Sequence, residues 1–292
     1  MLPQLLVSGL LLGGVYALIS LGLTLIFGVM RIVNFAHGDF LMLSMFATYW
    51  LFTLAHLDPY VSLLIVVPAF FLLGGVVYWL VIRRTVGTPH VVQIFATVGL
   101  SIVLQNLALL LWSPDYRTIR PANAEAVIAI GGVRVGVNLL VAAFVAVAVA
   151  IGLLTFMRHT YTGKAIRALV QDRTAATLMG VDSNRMYLFT FAIGTACAGL
   201  AGSLLMPIYY AFPTVGEHFV LIAYVVVVLG GLGSMPGALL GGLIIGLVET
   251  FSGYFIKASL QQLVYFVVFI LILILRPAGL FGIRGAEELE AE

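Results

Sequence analysis

The chain has 292 residues, of which 62% are hydrophobic and 9% charged, and its mean hydropathy is +1.16. Soluble domains carry about 25% charged residues, so this deficit excludes an ordinary water-soluble enzyme and points to a polytopic membrane protein. The net charge of +2 gives no reason to expect a nucleic-acid partner, and the single cysteine, Cys197, excludes an intrachain disulfide and a cysteine-based metal site.

A helix crossing hydrocarbon needs roughly 20 mostly apolar residues. The first such run is 3–29. Its opening, MLPQLLVSGLLLGG, has no basic stretch ahead of it and is too long for a signal-peptide core, so it reads as a membrane span. The next segment, RIVNFAHGDF (31–40), places Arg31, Asn34, His37 and Asp39 within nine positions between two apolar runs. Gly38 is expected to break the helix and Asp39 to N-cap the second span, 38–56. Asn34 and His37, three apart, share a face if the turn is helical. The corner is either a capped turn at the membrane surface or a deeper polar break lining a translocation route or inner gate.

Spans are then expected at 61–82 and 91–112. The loop 113–136 contains VIAIGGVRVGV, two β-branched runs around Gly131-Gly132, a hairpin signal. A span at 137–157 leads to the loop 158–185. Its GKAIRALVQDRTAATLMGVD reads as one helix ended by Gly180, with apolar Ile166, Leu169, Val170, Leu178 and Met179 and charged Lys164, Arg167, Asp172 and Arg173. On that reading Asp172, Ala176 and Gly180 share one face. The helix either lies on the bilayer or docks into a groove on a soluble partner. The remaining spans are 186–206, a short 218–231, 236–252 and 260–276. Gly230, Gly231, Gly233, Gly237 and Pro236 prevent a continuous helix from 218–231 into 236–252. Nine crossings put the termini on opposite sides. Ten Lys and Arg, including Arg284, fall on the side of the 158–185 loop and four on the other, so that loop and the acidic tail EELEAE are expected to be cytoplasmic.

Catalytic signals are missing. There is no phosphate-binding loop, nucleophile elbow or metal spacing, and His37, His56, His90, His159 and His218 are scattered. Glu249 is the one carboxylate expected inside a span, unless it lies at the membrane surface near Lys257. So few intramembrane charges argue that the driving energy comes from elsewhere. Small residues in SGLLLGG and GALLGGLIIG, three and four apart, suit close helix contact.

GLTLIFGVMRIVNFAHGDFLML (22–43) closely resembles the start of permeases of bacterial branched-chain amino acid ABC importers, the LivH type. RALVQDRTAATLMGVD (167–182), LGGLGSMPGALLGG (229–242) and LRPAGLFG (275–282) resemble the same family, so the likeness spans nearly the whole chain. The resemblance implies an all-α permease with about 8–10 membrane helices, broken or re-entrant segments and a small periplasmic β-hairpin. It implies one permease domain over 1–292, in the bacterial inner membrane. It also implies a LivM-type permease partner, two ATPase subunits of the LivG/LivF type that hold ATP and Mg, and a periplasmic amino acid-binding protein. The chain itself would be no enzyme. Asn34, His37, Gly38, Asp39, Gly231 and Gly233 would then belong to the substrate pathway or gate. The family's coupling pattern E-A-A-x-x-x-G falls on Ala175, Ala176 and Gly180, with Thr174 in place of Glu. Gly163, Arg167 and Asp172 would complete the ATPase coupling surface, and Arg117, Arg120 and Arg134 would dock the binding protein. An importer of urea, short amides or another small polar solute is the alternative. A secondary transporter or channel acting alone comes next, and a membrane scaffold last.

Overall fold

The computed structural model describes residues 1–121, 126–130, 132–276 and 278–281. Gly131 of the expected hairpin turn, Pro277 and Gly282 of LRPAGLFG, Arg284 and the acidic tail lie outside the described residues. In chain order the elements are α1 (Leu2–Met30), α2 (His37–Ala55) and α3 (Pro59–Val77), which continues through a π-helical turn (Tyr78–Ile82) into α4 (Arg83–Thr85). Next come α5 (His90–Trp112), strands β1 (Val127–Ile130) and β2 (Val133–Gly136), α6 (Val137–His159), α7 (Tyr161–Gln171) and α8 (Arg173–Leu178). The chain ends with α9 (Ser183–Leu205), α10 (Val215–Gly230), α11 (Met235–Phe255), a 3-10 turn and α12 (Gln261–Leu275). Among the described residues eight helices are long and apolar enough to cross a membrane, and α10, at 16 residues, is the short segment the sequence marks.

Local chemistry sets the helix ends. Asp58 accepts from the Tyr60 N–H at 2.9 Å with Pro59 in the first position of α3, Asp182 caps α9 through the Arg185 N–H at 3.1 Å, and Ser234 caps α11 through the Gly237 N–H at 3.2 Å. The turn between α10 and α11 needs left-handed backbone at Gly231 (φ 100°) and Gly233 (φ 80°), which glycine adopts without steric cost.

Close contacts divide the chain into two units. The first comprises the described residues within Met1–Thr24, Ala122–Ala150 and Leu221–Glu292. Here α1 packs on α11 through the small residues of SGLLLGG and GALLGGLIIG. A Cβ on Gly13 would lie 2.7 Å from the Leu243 Cα, and one on Gly242 2.6 Å from the Ala17 nitrogen. The hairpin pairs antiparallel with Ile130 opposite Val133. It is tied to the start of α1, where the Gln4 side chain receives the Arg134 N–H at 2.7 Å and donates to the Arg134 carbonyl at 2.6 Å.

The second unit comprises Leu25–Pro121 and Ile151–Val220, with α9 buried between α2 and α3. Phe70 packs on Gly199, Gly74 on Ala192 and Thr195, and the Tyr78 hydroxyl bonds to the Asn184 side chain at 2.7 Å, so α3 and α9 run antiparallel. On α2, the Thr48 hydroxyl donates to Ser203 at 2.8 Å.

The loop 158–185 departs from the single helix expected. Asp172 leaves the helix (φ −154°, ψ 107°), and its carboxylate accepts from the Ala175 N–H at 2.9 Å, starting α8 as a separate helix. A free carboxylate just ahead of three unpaired N–H groups favours a new cap over a continued turn. The face expected to join Asp172, Ala176 and Gly180 therefore does not exist.

Candidate translocation site

The polar segment 31–40 lies in the second unit against α5. Arg31 ends α1 in the left-handed region (φ 53°), and the chain stays non-helical through Asn34 before turning into α2 at His37. Two expectations are corrected here. Asp39 does not cap α2. The helix begins two residues earlier, after Ala36, and the Asp39 N–H is already bonded to the Ala36 carbonyl at 3.0 Å. Gly38 does not break the helix but lies in its first turn, where its role is close approach. A Cβ on Gly38 would collide with the Gly216 carbonyl, and one on Gly216 would come 2.5 Å from the Gly38 carbonyl oxygen. The N-termini of α2 and α10 thus cross in contact. Their partial positive charges are offset by an acid in each first turn, Asp39 and Glu217.

Residues that sequence reasoning did not single out complete the site. Gln93, Thr97, Ser101 and Gln105 recur every four residues on α5 and form one polar stripe. The Gln93 amide donates to the Thr88 carbonyl at 2.9 Å, and Thr97 donates to the Val33 carbonyl at 3.0 Å. Gln105 donates to the Asp39 carboxylate at 3.1 Å, and Ser101 bonds to the same carboxylate. Asp39 therefore lies opposite a point fifteen residues after the start of α5 and seven before its end, roughly 22 Å along that helix. Asn34 and His37 are 0% exposed and Asp39 1%. Both polar atoms of the Asn34 side chain and the Gln93 carbonyl oxygen are buried without a hydrogen bond among the described residues. An amide offers two donors and an acceptor with two lone pairs, and leaving them unpaired costs about 1–3 kcal/mol each. The seam thus holds unused hydrogen-bonding capacity in an apolar bundle.

The other expected site residues are found elsewhere. Gly231 and Gly233 form the α10–α11 turn, onto which Leu280 and Phe281 donate backbone hydrogen bonds to the Leu229 and Gly230 carbonyls at 2.9 and 3.1 Å. Gly163 lets α7 fold back on the end of α6, since a Cβ there would meet Met157 and the Phe156 carbonyl. Arg167, Asp172, Ala175 and Gly180 are exposed, whereas Ala176 is buried, as is Leu169. The expectation that Ala176 and Leu169 face a partner is corrected. Both pack within their own chain, and the outward apolar groups are Leu178 and Met179, 83% and 85% exposed. Beside them, Arg173, Thr177, Leu178, Asp182 and Asn184 line an open depression of about 690 Å³. Arg117 is occupied internally. It donates to the Trp112 carbonyl at 2.6 Å, stacks over Tyr49 and Trp50, and pairs its backbone with Ala211. Arg120 and Arg134 are exposed. Glu249 is buried within its own chain, close to Tyr16. Asp39 is a second buried carboxylate, in the polar break for which the sequence allows either a surface turn or a deeper position.

The family described as branched-chain amino acid transport system / permease component matches residues 5–273. The chain belongs to this family. It is 32% identical to the high-affinity branched-chain amino acid transport system permease protein BraD of Pseudomonas aeruginosa, over 96% of this chain and 95% of that one. It is 30% identical to the permease protein LivH of Salmonella typhimurium, over 94% of each chain. It is also 30% identical to the ribose import permease protein RbsC of Haemophilus influenzae, over 41% of this chain and 39% of that one. No solved structure matches the chain. This permease is therefore a multi-pass membrane protein of a transport system, and the seam of 31–40 against α5 gathers the buried polar side chains of Asn34, His37, Asp39, Gln93 and Thr97.

Proposed function

We propose that this permease is the membrane subunit of an ATP-driven importer that carries branched-chain amino acids across the bacterial inner membrane. It works with a LivM-type permease, two ATPase subunits of the LivG/LivF type that bind ATP and Mg, and a periplasmic binding protein. The near-full-length likeness to BraD and LivH supports the substrate class. The absence of a phosphate-binding loop supports an external source of energy. The observation that carries the mechanism is the buried, unpaired Asn34 amide beside His37 and Asp39. A passing zwitterion must exchange water for protein hydrogen bonds inside an apolar bundle, and broken helices with polar ends supply them. Closed, the seam is held by Asp39, Ser101 and Gln105; opened, it presents Asn34 and Gln93 to the route.

Two surfaces serve the partners. Arg167, Arg173, Leu178 and Met179 meet the ATPase, and Arg120 and Arg134 meet the binding protein by charge that salt screens. The partial likeness to a ribose permease keeps a different small polar solute as the second reading.

The test is Asn34→Leu in the assembled transporter. Because the Asn34 amide makes no hydrogen bond among the described residues, the change should leave complex yield and thermal stability equal or higher, while labelled leucine uptake falls about tenfold or more. Uptake at the unmodified level would remove Asn34 from the route. Labelled urea taken up in preference to leucine would favour the second reading.

A further inference from the structure

Away from the polar seam, the outer faces of α3 and α9 enclose an open apolar groove of about 470 Å³. Its walls include Phe71, Leu72, Gly75, Trp79, Leu188 and Ala192. Leu72 is 67% exposed and Trp79 60%. Gly75 forms the floor, where an added Cβ would approach only the tip of Leu188, at 4.0 Å. The groove follows α3 from Phe71 to Leu80, a length of roughly 14 Å, and ends at the π-helical turn Tyr78–Ile82.

Beyond that turn the chemistry changes. Arg83 and Arg84, both exposed, follow Trp79 and Leu80 by one turn. Arg83 acts electrostatically on Tyr78, whose hydroxyl is bonded to Asn184 at the start of α9. Arg185 follows there, with its guanidinium 5.9 Å from the Phe189 ring centre, and Phe189 packs against Phe71. The basic residues of α4 and of α9 thus meet at one end of the groove. One acid, Asp182, acts on the same Tyr78 and caps α9 with a carboxylate oxygen, so three arginines against one carboxylate leave the mouth net positive. An apolar slot open along its side, closed by three arginines at one end, matches a molecule with a long aliphatic chain and an anionic head.

We propose that this groove binds one anionic phospholipid, with an acyl chain along Leu72, Gly75 and Trp79 and its phosphate against Arg83, Arg84 and Arg185. The π-helical turn joins the two parts of the site. A hydrogen bond that spans five residues instead of four, from the Arg83 N–H to the Tyr78 carbonyl, rotates the arginines relative to an uninterrupted α-helix. A second protein covering the same face would bury Trp79 but would show no preference for lipid charge.

Trp79 reports on occupancy directly. The full chain carrying Trp50→Phe and Trp112→Phe keeps it as the only tryptophan. That chain is reconstituted in dioleoylphosphatidylcholine vesicles containing small fractions of dibrominated phosphatidylglycerol or dibrominated phosphatidylcholine, and tryptophan quenching is followed. Half-maximal quenching is expected at an on-the-order-of-tenfold lower mole fraction of the phosphatidylglycerol, from the attraction of basic side chains for anionic lipid. Arg84→Gln with Arg185→Gln, both at exposed positions, should abolish the preference with unchanged circular dichroism, and added salt should reduce it. Gly75→Leu should weaken quenching by filling the floor. Equal quenching by the two lipids, a preference that survives the double arginine change, or no quenching by either lipid overturns the proposal.

Discussion

Asp39 shows how one side chain ties a broken helix to its neighbour. A carboxylate 1% exposed in an apolar bundle is costly to keep unless donors surround it. Ser101 and Gln105 supply them from the adjacent turns of α5. Replacing Gln105 with Leu removes a hydrogen bond to a charged acceptor, worth about 1.5–3 kcal/mol. The purified complex of Gln105→Leu should therefore melt several degrees lower in a thermal denaturation series. Asp39→Asn keeps an oxygen for Gln105 but removes the charge that offsets the α2 N-terminus. Its complex should assemble in normal yield yet transport poorly. A loss of yield in step with uptake would instead make Asp39 a purely structural anchor. Asn34→Leu is expected to behave in the opposite way to Gln105→Leu, because one side chain is unpaired and the other is bonded.

At the scale of elements, the sequence and the structure agree wherever the surrounding medium dictates the pattern. Hydrocarbon demands long apolar runs, so the expected 3–29, 91–112 and 186–206 differ from α1, α5 and α9 by at most three residues at either end. Glycines with an obligatory backbone role were legible too: Gly180 ends α8 (φ 87°), and Gly231 with Gly233 interrupts α10 and α11. Contacts that depend on another segment were not legible. Gly38 reads as a breaker until Gly216 lies against it. The stripe of Gln93, Thr97, Ser101 and Gln105 has a visible four-residue period, but it gains meaning only when 31–40 packs along it. The loop 158–185 fails differently, because Asp172 suits both a helix interior and a cap, and the cap wins. That outcome buries Ala176 and leaves Leu178 and Met179 facing outward. Leu178→Asp with Met179→Asp, both outward, should leave insertion and yield intact and abolish substrate-stimulated ATPase activity of the complex. Ala176→Trp should instead lower the stability of the chain itself, since Ala176 is 6% exposed. Full stimulation in the double aspartate variant would show that the ATPase binds elsewhere.

For the molecule as a whole, orientation decides whether the proposed surfaces can reach their partners. In the second unit, the antiparallel pairing of α3 and α9 brings Arg83 and Arg84 to the start of α9, the end that also carries Arg173 and Arg185. Arg117 marks the opposite end, where it covers Tyr49 and Trp50 near the C-terminus of α2. Lys and Arg accumulate on the cytoplasmic side of membrane proteins when loops are short, so the first end should face the cytoplasm and the second the outside. Single-cysteine labelling tests this in the intact chain, because the native Cys197 is buried and its replacement is unnecessary. Thr174→Cys and Arg120→Cys both introduce thiols at exposed positions. A membrane-impermeant maleimide should label Arg120→Cys in spheroplasts and leave Thr174→Cys unmodified, and inside-out vesicles should give the reverse. The opposite pattern would put the α7–α8 region beyond the reach of a cytoplasmic ATPase. The Leu178 and Met179 surface would then have to serve a partner outside the cell membrane, and the assignments of both ends of the permease would exchange.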